Sequence, residues 1–215
     1  MKKLLAAAAL TCVFAMPAHA LSLFSDNFDA NTADQLNTAP SGWTLTNGIV
    51  DIIGAGGSFD WYPGNGSYID LDGSIGALGQ VSTITSNTVL NFVNGKTYNF
   101  SFDYGINHND GRDSDTVTLG ILINNILSQD LITVDANGLN HLSATFNLAS
   151  ILQIATANFV GQIYIRGNSV GGSDQSGGIV DNVSVSSVPL PGAALLLMSG
   201  LLGLGGVSRF RRRNV

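Results

Sequence analysis

The sequence contains no glutamate, and each of its fifteen acidic residues is an aspartate. Glutamate favours helices, whereas aspartate favours turns and helix caps and is a hard oxygen ligand. This bias predicts a loop-rich β protein and makes Ca²⁺ the first cation to consider. Charged residues make up only 11% of the chain, under half of the usual share of about 25%. We therefore expect serine, threonine and asparagine to supply most of the polar surface.

Cysteine is nearly absent as well. The single one, Cys12, lies in an apolar run that follows Lys2 and Lys3 and ends at Ala18-His19-Ala20. A charged start, an apolar run and a small-residue end are typical of a secretory signal peptide, here residues 1–20. We expect the secretion machinery to export the chain and cleavage to follow Ala20. The mature protein then has no thiol, which excludes disulfide bonds and cysteine chemistry.

Positive charge is scarce between the two ends of the chain. Six of the nine cations lie at the termini, which leaves Lys96, Arg112 and Arg166 against all fifteen aspartates. Recognition of phosphate groups needs a basic surface. The charge distribution therefore excludes nucleic acid as a partner.

Residues 188–215 contain three features in a fixed order. Val188-Pro189-Leu190-Pro191 opens an uncharged stretch that runs from Leu190 to Val207, and an arginine cluster follows: Arg209, Arg211, Arg212 and Arg213. Eighteen residues at about 1.5 Å each span roughly 27 Å as a helix, just enough for a bilayer core. The sequence therefore predicts a transmembrane helix whose arginines lie in the cytoplasm.

This order of proline motif, apolar helix and arginine cluster resembles the PEP-CTERM sorting signal in its VPLPA-type variant, with Gly192 where alanine is usual. The resemblance implies that the helix holds the protein in the inner membrane only transiently. An exosortase, a membrane-embedded cysteine protease, would then release it to the cell surface or extracellular matrix of a bacterium that makes exopolysaccharide. A permanent membrane anchor is the alternative.

Residues 21–187 are predicted to form one domain of β-strands. In Tyr98–Tyr104, aromatic side chains occupy every second position, which is typical of a half-buried strand. Other segments are rich in valine, isoleucine and threonine and end in turn residues. The predicted strands are 43–53, 67–72, 78–89, 98–104, 116–123, 126–134, 142–148, 159–166 and 179–186. This number favours an antiparallel β-sandwich of the jelly-roll type, and one or two helical turns are predicted within 149–155.

Five segments of this body are similar to landmarks of galactose-binding-like jelly rolls: Phe24–Asp29, Gly42-Trp43, Asn65–Gly73, Tyr98–Asp103 and Gly178–Ser184. That superfamily includes many carbohydrate-binding modules, and similar bodies are common on PEP-CTERM proteins. The resemblance implies a structural Ca²⁺ between the first and last strands, held by Asp26, Asp29 and Asp181, with Asn27 as a lesser candidate. The alternative is that these residues only form turns and a strand end.

The glycine-rich loop between Gly54 and Gly66 contains Asp60-Trp61-Tyr62. Sugar binding needs a flat aromatic ring together with side chains that form hydrogen bonds. We predict that Trp61 and Tyr62 stack on a sugar, with Asp60 beside them. The alternative is that the loop folds back and caps the core. Trp43 is predicted to be a core residue. Asp70 and Asp72 are predicted to lie on an exposed polar face, and a hydrogen-bonding or sugar-facing role is the alternative.

Catalytic signatures are missing from the mature sequence. It has two histidines, His108 and His141, and nothing selects a pair of aspartates as acid and base. No nucleophile elbow, phosphate loop or zinc spacing occurs. The sequence therefore favours a non-enzymatic surface protein that binds exopolysaccharide. The alternatives are a structural or adhesive matrix protein without a sugar site and a polysaccharide-acting hydrolase built on an aspartate pair.

Overall fold

The computed structural model describes residues 20–74, 81–106, 115–135, 140–147, 158–168 and 177–188. Ser22–Ser187 belong to one compact unit. Of the predicted sorting motif only Val188 is described; the rest of it, the apolar stretch, the arginines and the signal peptide before Ala20 lie outside these ranges. Within the described ranges every regular element is a strand, and none is a helix that could span a bilayer.

Twelve strands account for the regular structure of the described residues. In chain order they are β1 Leu21–Asp26, β2 Trp43–Asn47, β3 Asp51–Gly54, β4 Ser67–Asp70, β5 Val81–Ser86, β6 Leu90–Phe92, β7 Thr97–Ile106, β8 Thr116–Ile123, β9 Leu127–Asp135, β10 Asn140–Asn147, β11 Phe159–Asn168 and β12 Gly178–Val188.

The strands form two six-stranded sheets. The first sheet has the order β10-β7-β12-β4-β3, and β1 also pairs with β12. The second sheet has the order β2-β5-β11-β8-β9, and β6 also pairs with β11. The registered pairs run antiparallel. The predicted all-β class and the antiparallel sandwich are confirmed.

One hydrophobic core lies between the sheets. Strand β7 directs Phe100 and Phe102 into it, and strand β8 of the other sheet directs Leu119 and Ile121. The alternation of buried and exposed positions follows from the two-residue period of a strand. Burying one such side chain contributes about 1.5–3 kcal/mol. Trp43 is 4% exposed, so its prediction as a core residue is confirmed.

The single strand predicted for residues 43–53 is wrong, because the chain turns between β2 and β3. Gly48 has a φ of +65°, and a Cβ there would overlap Ser82 of strand β5. Only glycine adopts this conformation without strain in so close an approach. Strands β1 and β6 were not predicted either; β1 buries no side chain fully, and β6 has only three residues. The turns predicted for 149–155 lie outside the described residues.

Candidate functional site

Four aspartates project from the outer side of the first sheet, which we call the acidic face: Asp51, Asp70, Asp103 and Asp181. Each follows or precedes a side chain that points into the core: Ile52, Ile69, Phe102 and Val180. Alternation along the strands therefore directs the carboxylates away from the core. Asp51, Asp70 and Asp181 are nonetheless buried, with 2–3% of their surface exposed.

Strand β12 departs from regular alternation between Val180 and Val183. Val180, Val183 and Val185 all lie in the core, although 180 and 183 cannot share one side of a regular strand. Asn182, between them, has a φ of +49°. These are the features of a β-bulge, which lets consecutive side chains face the same side of a sheet. The bulge places Asp181 and Asn182 together on the acidic face, where Asn182 Nδ2 donates to Asp103 Oδ2 at 2.8 Å.

The charges of two predicted calcium ligands, Asp26 and Asp29, act on the third, Asp181, at this bulge. Burial, followed by the charges of Asp103, Asp29 and Asp26, raises the pKa of Asp181 to about 7, although the Asn182 N–H lowers it in part. Asp103 was not among the predicted ligands. Its signal was its place on the polar side of the alternating segment 98–104.

The oxygens of these acids already accept hydrogen bonds from the protein. Asp26 accepts the Phe28 backbone N–H at 2.8 Å and the Trp43 indole N–H at 2.7 Å. Asp29 accepts the Ser67 N–H at 2.9 Å and Asn27 Nδ2 at 2.6 Å. In the described part of the chain, no three acidic or histidine side chains are arranged to hold a metal ion. The calcium site therefore stays a prediction.

The aromatic loop, residues 55–66, folds over another part of the acidic face. Ile53, Tyr68 and Ile179 form a small apolar cluster there, and Trp61 and Tyr62 pack against it. The ring of Tyr62 meets that of Tyr68 edge-on, with 5.9 Å between centroids, and Trp61 lies 6.4 Å from Phe59. Both predicted stacking residues are thus partly buried and partly exposed.

The hydroxyl of Tyr68 holds this loop from below. Its oxygen accepts the Tyr62 backbone N–H at 3.0 Å and its O–H donates to Asp60 Oδ1 at 3.2 Å. Asp60 Oδ2 accepts the Gly56 N–H at 2.8 Å. Burial is the main cause that raises the pKa of Tyr68 to about 12, with Asp60 adding to it. The hydroxyl therefore stays protonated at neutral pH, and Asp60 serves the loop's own structure.

The indole N–H of Trp61 is buried, and no residue in the described ranges accepts a hydrogen bond from it. A buried donor left without an acceptor costs about 1–3 kcal/mol. The conformation of the loop thus leaves the only polar side-chain atom of Trp61 without an acceptor in the described ranges.

Asp70 and Asp72 do not form the predicted exposed polar face, and that prediction is wrong. Both are buried, and Asp70 Oδ1 accepts the backbone N–H groups of Asp72 and Gly177 at 2.9 Å each. Asp51 likewise accepts the Asn37 N–H at 2.6 Å and the Ser74 N–H at 2.9 Å. These carboxylates connect loops that are distant in sequence, which alternation within one strand cannot reveal.

The outer side of the second sheet, the threonine face, is defined by Thr46, Thr83, Thr85, Thr118 and Thr133. It carries a polar cluster that sequence reasoning missed. Tyr164 lies across Gly120, where a Cβ would overlap the tyrosine ring, and its hydroxyl donates to Asp130. Arg166 Nη2 donates to Asp130 Oδ2 at 2.6 Å.

Contacts within this cluster shift the pKa values of Asp130 and Tyr164. Burial alone would raise the pKa of Asp130, but hydrogen bonds from Tyr164 and Arg166, with the arginine charge, lower it below its ordinary value. Burial and Asp130 raise the pKa of Tyr164. The signal in the sequence was the alternation of Gln162, Tyr164 and Arg166 in the predicted strand 159–166. Arg166 is also one of only three cations in the body.

Comparison with known proteins finds similar folds but no matching family. No family model matches the sequence, and no curated protein matches it. A cyclase from Fischerella sp. TAU shares 13% identity at a TM-score of 0.54, over 80% of this chain and all of that chain.

Two further solved structures are of proteins that act on or bind sugars. Arabinose-bound MgGH51 α-L-arabinofuranosidase shares 13% identity at a TM-score of 0.52, over 79% of this chain and 27% of that chain. The CBM22-1 xylan-binding domain of Paenibacillus barcinonensis Xyn10C shares 10% identity at a TM-score of 0.48, over 82% of this chain and all of that one. At these identities the likeness concerns the fold alone.

Proposed function

We propose that this chain is an exported, non-catalytic protein whose β-sandwich binds polysaccharide at the cell surface or in the extracellular matrix. The observation that carries this proposal is the aromatic loop. Phe59, Trp61 and Tyr62 remain partly exposed on a loop whose backbone is fixed by Tyr68 and Asp60. Aromatic rings that are rigid before binding lose little conformational entropy when a sugar ring stacks on them.

The negative charge of the β-sandwich domain indicates which class of glycan it binds. Between the two ends of the chain, fifteen aspartates outnumber three cations. An anionic polysaccharide is therefore repelled unless a cation bridges the polysaccharide and the protein. An uncharged polysaccharide is not subject to this repulsion. Neutral exopolysaccharide is therefore the proposed ligand of the aromatic loop.

A glycan array probed with the whole chain tests this function. The protein is purified in a detergent without a sugar head group, because maltosides and glucosides would compete. Trp61→Ala is expected to weaken binding by about tenfold or more, since buried aromatic anchors dominate such contacts. Tyr62→Phe, which keeps the ring, is the matched control and should bind as the parent does. Unchanged binding by Trp61→Ala would refute the role of the loop.

A structural or adhesive role without a sugar site is the second candidate. It is favoured by the packing of Trp61 and Tyr62 on Ile53, Tyr68 and Ile179. If the loop serves only as a cap, Trp61→Ala lowers stability and the parent protein binds no glycan on the array.

The route to the surface rests on the two ends of the sequence. We propose that the secretion machinery removes residues 1–20 and that an exosortase recognises Val188-Pro189-Leu190-Pro191 before the apolar helix and the arginines. Deleting the exosortase should leave the uncleaved chain in the inner membrane. Normal release from that strain would contradict the sorting proposal.

We propose calcium as a structural ion at Asp26, Asp29 and Asp181, with Asp103 beside them, which requires these side chains to move from the arrangement described above. Their carboxylates are the oxygen ligands that Ca²⁺ prefers. A bound cation would offset the repulsion that helps to raise the pKa of Asp181. Calcium added at a hundred times its Kd would then stabilise the fold by about 2.7 kcal/mol.

A further inference from the structure

A groove of about 310 Å³ opens at one end of the sandwich, and none of its lining residues belongs to the aromatic loop. It lies between the turn that joins β6 to β7, the turn that joins β8 to β9, and the start of β11. We call it the end groove, and its accessible lining consists of Asn91, Val93, Asn124, Asn158, Phe159 and Val160. Its volume is at the lower end of the range of about 300–1,000 Å³ for small-molecule sites.

The walls of the end groove are tied to one another. The Asn124 N–H donates to the carbonyl of Val160 at 3.0 Å, which joins the β8–β9 turn to β11. The Asn94 N–H donates to Asn158 Oδ1 at 2.9 Å and joins the β6–β7 turn to the same strand. A groove held in this way is formed before a ligand arrives, which lowers the entropic cost of binding.

The floor of the end groove is aromatic and rigid. Phe159 stacks on Phe92 with 5.1 Å between ring centroids and 21° between planes, and Phe92 is fully buried. Phe159 itself is only partly buried. Val93 and Val160 beside it are 38% and 39% exposed. These side chains offer apolar surface of the kind on which the C–H side of a sugar ring packs.

The rim supplies hydrogen-bonding groups without charge. Each asparagine amide has both a donor and an acceptor, and a sugar hydroxyl likewise donates and accepts. The side chains of Asn91 and Asn124 make no hydrogen bond to any residue in the described ranges. No lining residue is charged, so the groove offers no counter-charge to an anionic group.

The geometry points to a second glycan site in the end groove, one that takes a single uncharged sugar ring between the asparagine amides and Phe159. This inference rests on the proposed function, because it assigns a further contact to the same polysaccharide. It is separable from the aromatic loop, since none of the lining residues belongs to residues 55–66. A long neutral chain could then be held at two places, which raises its apparent affinity.

The β8–β9 turn provides a matched pair of variants. Asn124 and Asn125 both have positive φ, 51° and 57°, and only Asn124 lines the groove. Glycine keeps this backbone conformation without strain. Asn124→Gly therefore removes a groove amide, and Asn125→Gly is the control for any change in the turn itself.

A second pair tests occupancy of the groove. Val160→Lys puts a long charged side chain at the rim, and Val81→Lys makes the same change at a site of similar exposure, 36%, at the opposite end of β11. Val160 lines the groove, and so does Asn91, its cross-strand partner on β6.

The experiment is calorimetric titration of the whole chain, in the same sugar-free detergent, with xylohexaose, cellohexaose, mannohexaose and oligogalacturonate. We expect at least one neutral oligosaccharide to bind and the anionic one not to bind. Asn124→Gly should weaken binding by about threefold to tenfold, as expected for one or two lost hydrogen bonds. Val160→Lys should weaken it by about tenfold or more, and both controls should stay within about twofold of the parent.

The outcomes separate this inference from the proposed function. Neutral binding that Trp61→Ala abolishes and Val160→Lys leaves unchanged would overturn the end groove alone. Neutral binding that Val160→Lys reduces and Trp61→Ala leaves unchanged would support the groove and refute the loop. Tighter binding of oligogalacturonate through the groove would overturn its assignment to uncharged sugars. No binding of any probe would overturn both.

Discussion

The outer sides of the two sheets differ in the hydrogen bonds that their polar side chains form. On the acidic face, buried aspartates accept hydrogen bonds from backbone N–H groups of loops. Asp51 accepts from Asn37 and Ser74, and Asp70 accepts from Asp72 and Gly177. On the threonine face, several side chains form hydrogen bonds to other side chains across strands. Thr118 and Thr133 share a hydrogen bond of 2.8 Å, and Arg166 pairs with Asp130.

The role of the buried carboxylates on the acidic face suits aspartate, the only acidic residue in the sequence. A short aspartate side chain places its carboxylate where a neighbouring backbone donor can reach it, as in turns. Asp34 does the same for Ser58 in the aromatic loop, at 2.8 Å. The acidic face is thus a set of loop anchors, whereas the cluster on the threonine face is a partly exposed ion pair.

The largest effect that tests this comparison is expected from Asp51→Ala. Three donors, the N–H groups of Asn37 and Ser74 and the Ser74 hydroxyl, would lose a buried acceptor. These hydrogen bonds are partly buried, so at about 1 kcal/mol for each the free energy of unfolding should fall by about 3 kcal/mol. Urea denaturation measures it. A loss similar to that of an exposed aspartate would mean that water replaces the carboxylate.

Per pH unit, a smaller effect is expected from the titration of Asp181. Its pKa rises from an ordinary 3.8 to about 7 in the folded protein, so folding favours the protonated form. With a chelator present, stability should fall as the pH rises from about 4 to 7, by up to about 1.4 kcal/mol per pH unit. Asp181→Asn should flatten this slope, and an unchanged slope would show that another group titrates.

The smallest effect is expected on the threonine face. Asp130 is 46% exposed and Arg166 is 34% exposed, and ion pairs of this exposure contribute about 0–1 kcal/mol. Asp130→Ala should therefore destabilise the protein by about 1 kcal/mol or less in the same urea assay. A loss as large as that of Asp51→Ala would erase the distinction between the two faces.

The class of fold could be predicted because strand periodicity is local. Tyr98, Phe100 and Phe102 alternate with polar residues, and this pattern is sufficient to fix which side of β7 is buried. The break at Gly48 and the bulge at Asn182 could not be predicted, because each depends on a conformation that the neighbouring sequence does not require.

The candidate site was predictable only in part for a related reason. Asp26, Asp29 and Asp181 come from a family resemblance, and the structure adds only that the charges of Asp26 and Asp29 help to raise the pKa of Asp181. The roles of Asp51 and Asp70 depend on partners up to 107 residues away, and the contact of Tyr164 with Gly120 requires the register of β8 against β11. Such pairings exist only once the sheets have formed.

The most direct test of the central claim is a titration of the whole chain with the host's own exopolysaccharide, in calcium and again in chelator. The account predicts saturable binding that Trp61→Ala weakens by about tenfold or more, and weaker binding in chelator if calcium orders the acidic face. Absence of binding in both buffers would contradict it and would leave the aromatic loop as a cap on the sheet.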